Sequence, residues 1–213
     1  FSGKVALKDA ITHFKTGNFD IIAGRSGSGS LGSIPGDKIT NLHNELQELS
    51  KKSDFHYPDT AEGREQCLLD YNLILERSRK DLAHLFDMKP QSILKIQPVP
   101  VCQQEGMPGA YYFQPSLDGK RAGIFFVNMR NMSECVKYGM ETLTIHEAEP
   151  GHHFQLAIQA ESEMPLLRKI GIYNAHAEGW ALYAEKLAYE NNFYSSDYSK
   201  LGHFQDELLR AVR

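Results

Sequence analysis

Within the eight residues His146-Glu147-Ala148-Glu149-Pro150-Gly151-His152-His153 stand three histidines and two carboxylates. Neutral imidazole is a strong zinc ligand, and a glutamate beside the first histidine can take a proton from water held by the metal. The familiar helical arrangement, H-E-x-x-H, sets two histidines four residues apart on one face. Here the fourth residue after His146 is Pro150, and the next histidines follow only at 152 and 153. In a regular helix the sixth residue on is turned roughly 120° away, and the seventh, though on the same face, lies about 10.5 Å further along. Neither could share an ion with His146 unaided. Pro150 cannot donate to the carbonyl of His146, and Gly151 accepts unusual dihedrals. The spacing therefore predicts an irregular helix at these two residues that swings His152 back toward His146, with His153 as the second choice of ligand. The plainer reading is a kinked, polar helix end carrying surface histidines. Glu149 reads as a supporting or solvated carboxylate.

Catalytic zinc is typically held by three protein groups and keeps a fourth position open, so a further ligand must come from another element. Glu178 is the candidate, at the head of Glu178-Gly179-Trp180-Ala181-Leu182-Tyr183-Ala184-Glu185. The stretch between His152 and Glu178 leaves room for a loop and a second helix packed on the first. Glu185 points the same way two turns later and could hydrogen-bond a ligand histidine. His176 is a further candidate for a metal or supporting role. The plainer reading has Glu178 complementing a helix N-terminus while Trp180 fills the core. Tyr183, Tyr173 and His176 are candidate donors to an oxyanion. His13, His43, His56, His84 and His203 read as ordinary surface or core histidines.

The elements that must position these groups follow from periodicity. Ile39, Leu42, Leu46 and Leu49, then Leu68, Tyr71, Leu75, Leu82 and Leu85 as far as Pro90, recur at helical spacing and predict two paired helices. Ile93 and Ile96, Tyr111-Tyr112-Phe113, the turn at Asp118-Gly119 and Ile124-Phe125-Phe126-Val127 predict a small antiparallel sheet or at least a hairpin. Helix resumes over about 134–161, 175–191 and 198 to the end. The last pattern, Leu201, Phe204, Leu208 and Val212, is still in period at Arg213, as if cut short. The fold class is α+β and predominantly α-helical. Residues 1–37 form an N-terminal segment with a Gly/Ser-rich loop, and residues 38–213 form the domain. Gly27, Gly29 and Gly32 match G-x-G-x-x-G, but Pro35 and Gly36 interrupt where a helix should begin, so a phosphate-binding loop is not expected.

The pairing of His-Glu-Ala-Glu-Pro-Gly-His-His-Phe-Gln (146–155) with Glu-Gly-Trp-Ala-Leu-Tyr-Ala-Glu (178–185) resembles a domain-of-unknown-function family of mainly bacterial proteins. Many members of that family are described as putative lipoproteins, and the family is similar to the thermolysin-like zinc metallopeptidases called gluzincins. The likeness also takes in Ala110-Tyr111-Tyr112, Gly123 to Asn128, Leu201-Gly202 and Arg210 to Arg213, roughly residues 90–213. It implies zincin-like catalytic helices, zinc held by His146, His152 and Glu178, and Glu147 as general base. It also implies an extracytoplasmic or secreted location and longer chains at both ends, of which this polypeptide would be one fragment. The expected function is that of a zinc metallopeptidase hydrolysing a peptide or protein, with the strand at Phe125 to Asn128 aligning an extended substrate by edge pairing. The competing expectation is a non-catalytic binding or structural protein on the same scaffold.

Composition narrows the remaining classes. The chain has 213 residues, with 23 Lys plus Arg against 27 Asp plus Glu, so no basic surplus exists to neutralise a nucleic-acid backbone. At 41% hydrophobic and 23% charged residues it should build a core. No apolar run is long enough to span a bilayer. Cys67, Cys102 and Cys135 are too few for a disulfide framework, leaving one bridge plus a thiol or three buried thiols.

Overall fold

The computed structural model describes Glu48, residues 51–171 and residues 173–212. The expected helix at Ile39 to Leu49, the Gly/Ser-rich loop and the boundary at 37 lie outside the described residues. Helix α1 (Ala61–Asp81) starts where the Thr60 hydroxyl accepts the Gly63 amide, and it buries Cys67, Tyr71, Leu75 and Ser78 along one face. Three strands follow: β1 (Leu94–Pro98), β2 (Ala110–Phe113) and β3 (Gly123–Val127). The strand order is β1-β3-β2, with β2 antiparallel and β1 parallel to β3. The expected hairpin is therefore present, but the sheet is mixed rather than antiparallel. Two reversals of the chain bring β3 round in the direction of β1, and β3 takes the centre because Phe125 and Val127 point into the main core. There Phe125 meets Tyr71 of α1 edge-on at 5.4 Å.

The helical remainder comprises α2 (Met140–Glu147), α3 (His152–Glu161), the short α4 (Leu166–Ile170), α5 (Asn174–Glu190) and α6 (Asp197–Val212). The single helix expected over 134–161 is two helices, preceded by 3-10 turns at Met132–Glu134 and Lys137–Gly139. The break falls at the Pro150-Gly151 pair, where residues 148–151 connect the helices through a cis Glu149–Pro150 peptide. In α5, Ala177, Ala181, Ala184 and Ala188 are buried at helical spacing, and Ala184 and Ala188 pack in one cluster with Ile145 of α2. Such small side chains let two helix backbones approach closely, which carries the carboxylates of α5 to the histidines of α2. Cys67 and Cys135 are buried free thiols and Cys102 is exposed, so neither expected cysteine arrangement holds.

Gly151 has a steric duty in the break. A Cβ there would lie 2.0 Å from the His146 carbonyl oxygen and 2.2 Å from that of Ile145, both backbone atoms that cannot rotate away. Gly151→Ala is expected to destabilise the fold by about 3 kcal/mol. In a chain of this size that lowers Tm by roughly 6–12 °C, readable by thermal denaturation. A Tm unchanged within about a degree would show that the connection has room to yield.

Candidate metal centre

The connection between α2 and α3 folds His152 back on His146, and the two imidazoles stand 4.7 Å apart at 80°. From α5, Glu178 reaches both: its Oε2 lies 3.4 Å from His146 Nε2 and its Oε1 3.7 Å from His152 Nε2. One ligand atom from each of the three residues lies within 4.8 Å of the others. A tetrahedral ion with bonds of about 2.1 Å sets its donors about 3.4 Å apart. Two imidazoles and one carboxylate also make a donor set that zinc accepts with a position left open. The residues present therefore fit zinc. His146 and His152 are buried, while the Glu178 side chain is 57% exposed, so the group faces solvent on one side only.

Orientation of the first imidazole comes from behind. His146 Nδ1 is 2.7 Å from Glu185 Oε1, so in the neutral ring Nδ1 carries the proton and the Nε2 lone pair is directed toward Glu178. Glu185 is 1% exposed, and this buried charge is compensated from several elements. Arg210 Nη1 of α6 donates to the same Oε1 at 2.5 Å, and the Thr142 hydroxyl donates to Oε2 at 3.3 Å. His203 Nδ1 approaches Oε2 at 3.6 Å.

The titration of the group reflects these contacts. Burial opposes ionisation of Glu185, but the hydrogen bond from His146, the nearby His203 ring and the charge of Arg210 prevail and hold its carboxyl at about 2. Burial likewise opposes charge on His146, yet the hydrogen bonds to Glu178 and Glu185 outweigh it and push the imidazole up to about 9. His152 is pushed down to about 4 by burial and by the neighbouring His146 charge, so it is neutral at pH 7. Glu147, buried beside His146, is pushed up to about 7, first by burial and then by Glu178, against the pull of His146. The backbone N–H of Tyr112 in β2 lies close enough to this carboxylate to pull its pKa the other way.

Of the residues singled out in the sequence, His146, His152, Glu178, Glu147 and Glu185 come together. His153 does not: its ring is fully buried and turned to Tyr112 and Ser92. His176 is exposed and meets Gln155. Tyr173 is 76% and Tyr183 50% exposed, and neither has a hydrogen bond to the three ligands among the described residues. Glu149 pairs with Arg79 at 2.7 Å, and Trp180 Nε1 donates to the Pro150 carbonyl at 2.8 Å, so both brace the connection. Sequence reasoning missed Arg210 and left His203 as ordinary. Their spacing of seven residues on one helix face was the available signal. The stretch from Phe125 to Asn128 cannot pair with a substrate strand, because β1 and β2 occupy both edges of β3 and the Asn128 amide is spent on the Gln104 and Met107 carbonyls. The edge beyond β3 belongs to β2.

No helix among the described residues is long and apolar enough to cross a membrane. A family described as "Bacterial protein of unknown function (DUF885)" matches residues 20–213. The crystal structure of the putative lipoprotein from Colwellia psychrerythraea is similar at 34% identity with a TM-score of 0.78. That match covers 99% of this chain but 35% of the other, so the chain spans little more than a third of that protein's length. No curated protein matches. Because the family match runs through the whole described region, both motif segments included, the chain belongs to the DUF885 family of bacterial proteins.

Proposed function

We propose that this chain carries the zinc site of a metal-dependent hydrolase, most specifically a gluzincin-like metallopeptidase acting on a peptide or protein outside the cytoplasm. The observation that carries the reading is the convergence of His146, His152 and Glu178 within 4.8 Å, beside the buried carboxylate of Glu147. Zinc, when bound, would supply Lewis acidity to a substrate carbonyl and lower the pKa of water. Glu147 then accepts the proton of the attacking water and returns it to the leaving amine. In the metal-free site burial holds that carboxyl up to about 7, and a bound divalent ion would draw it down toward the ionised form that a base requires. The outer edge of β2, next to Glu147, is the strand edge available to hold an extended peptide.

A second reading has its own support. Between Glu178 and Glu185, His146 can hold a proton where the ion would sit, giving a metal-free charge network on a binding or structural scaffold. One experiment separates the two: calorimetric titration with zinc in buffers of differing ionisation enthalpy. His146 is protonated below about pH 9, so binding at pH 7 must expel that proton. About one proton should leave per ion, and apparent affinity should rise about tenfold per pH unit up to roughly pH 9 and then level. Absence of stoichiometric binding would favour the metal-free scaffold.

A further inference from the structure

His153, next to the ligand His152, faces away from the three ligands and is 0% exposed. Its Nε2 lies 3.1 Å from the Ser92 carbonyl, which can only accept, so Nε2 carries the proton. In the neutral ring Nδ1 is then an acceptor, and the Tyr112 hydroxyl donates to it at 2.9 Å. Ser92 leads into β1, Tyr112 belongs to β2, and the meeting point lies over Gly123 at the head of β3. A Cβ on Gly123 would sit 2.6 Å from the Tyr112 hydroxyl and 2.7 Å from His153 Nδ1, so the glycine leaves the space in which these two groups meet. One imidazole on the first turn of α3 thus grips the segment that enters β1 and the strand β2, with β3 between them.

The grip matters because of the other side of Tyr112. Tyr112 and Phe125 form a non-hydrogen-bonded pair, as the Asn128 N–H to Gly109 carbonyl bond sets the register, so the Tyr112 N–H points away from β3. It lies close enough to Glu147 to favour that carboxylate's charge, while the Tyr112 hydroxyl is held by the neighbour of His152. From the ligand His152, the path runs through His153 and Tyr112 to the carboxylate and returns to His146 along α2.

We propose that His153 is a positioning residue: through Tyr112 it fixes β2 against α3 and so sets where the Glu147 carboxylate stands relative to the three metal ligands. This rests on the hydrolase reading only for its consequence in turnover. Its geometric content can be read without activity, from the amide resonance of Tyr112 in the zinc-loaded protein. Glu147→Gln identifies the direction in which that resonance moves when its carboxylate partner is lost. His153→Leu is expected to move it the same way, and His153→Gln, which can still donate to Ser92 and accept from Tyr112, to restore it. Tyr112→Phe removes a single oxygen and should also move it, which decides the matter if His153→Leu does not fold.

Zinc affinity should change by less than the roughly tenfold loss that follows when a ligand's direct support is removed. With an active protein, kcat should fall by up to about 10²-fold in His153→Leu at nearly constant KM, as expected for a displaced catalytic group. A Tyr112 amide unmoved in folded His153→Leu or Tyr112→Phe overturns the proposal, whatever the activity. A moved amide in a protein that hydrolyses no peptide sinks the hydrolase reading and leaves the positioning role intact.

Discussion

Glu147→Gln is expected to keep its zinc and lose hydrolysis. The substitution preserves shape and one acceptor oxygen, and it leaves in place His146, His152 and Glu178, the three groups that converge on the metal position. What it removes is the capacity to take up a proton. General-base contributions of this kind amount to about 10²–10⁴-fold in rate. The neighbouring amide of Tyr112 retains an acceptor, so the fold should hold. The check is turnover of a peptide mixture by the zinc-loaded variant, with metal content measured on the same sample. Hydrolysis at the wild-type rate would remove Glu147 from the mechanism.

The second large effect is expected at Glu185, which touches no substrate. Its carboxylate holds the His146 ring and is itself held by Arg210 and Thr142. Glu185→Gln keeps the volume but leaves the Arg210 charge beside a neutral amide. Loss of such a contact behind a ligand histidine costs about 10–100-fold in metal affinity. It also alters the acid behaviour of the fold. A carboxyl held at about 2 against an ordinary 4.5 contributes stability that is complete above pH 4.5 and lost as pH falls toward 2. The variant should therefore show a flatter dependence of denaturation midpoint on pH across that window. Zinc affinity and acid dependence both equal to wild type would make Glu185 a spectator.

Much of this arrangement was legible in the sequence because it is local or periodic. Proline at 150 and glycine at 151 forbid a regular helix in the only place where two histidines of this spacing could be brought together, and the chain breaks there. The reach of Glu178 and Glu185 to one imidazole follows from their two-turn separation on α5. The identity of the metal-facing histidine was not readable: His152 and His153 differ by about 100° of helix rotation, and dihedrals across the connection decide which one faces inward. The parallel placement of β1 was equally hidden, since alternation reports a buried face but not which edge a partner strand takes. Arg210 escaped because its seven-residue spacing from His203 marks a shared helix face but not the buried carboxylate, far away in sequence, that the face covers. Cys67 and Cys135 meet no such rule, being buried in the main core as apolar fillers.

Crystals of protein purified without chelator, with diffraction measured on both sides of the zinc absorption edge, test the central claim most directly. One anomalous peak is expected, bonded at about 2.0–2.2 Å to Nε2 of His146, Nε2 of His152 and the carboxylate of Glu178. Zinc-soaked crystals with no peak among these three side chains, or with a peak bonded to a different set, would contradict it.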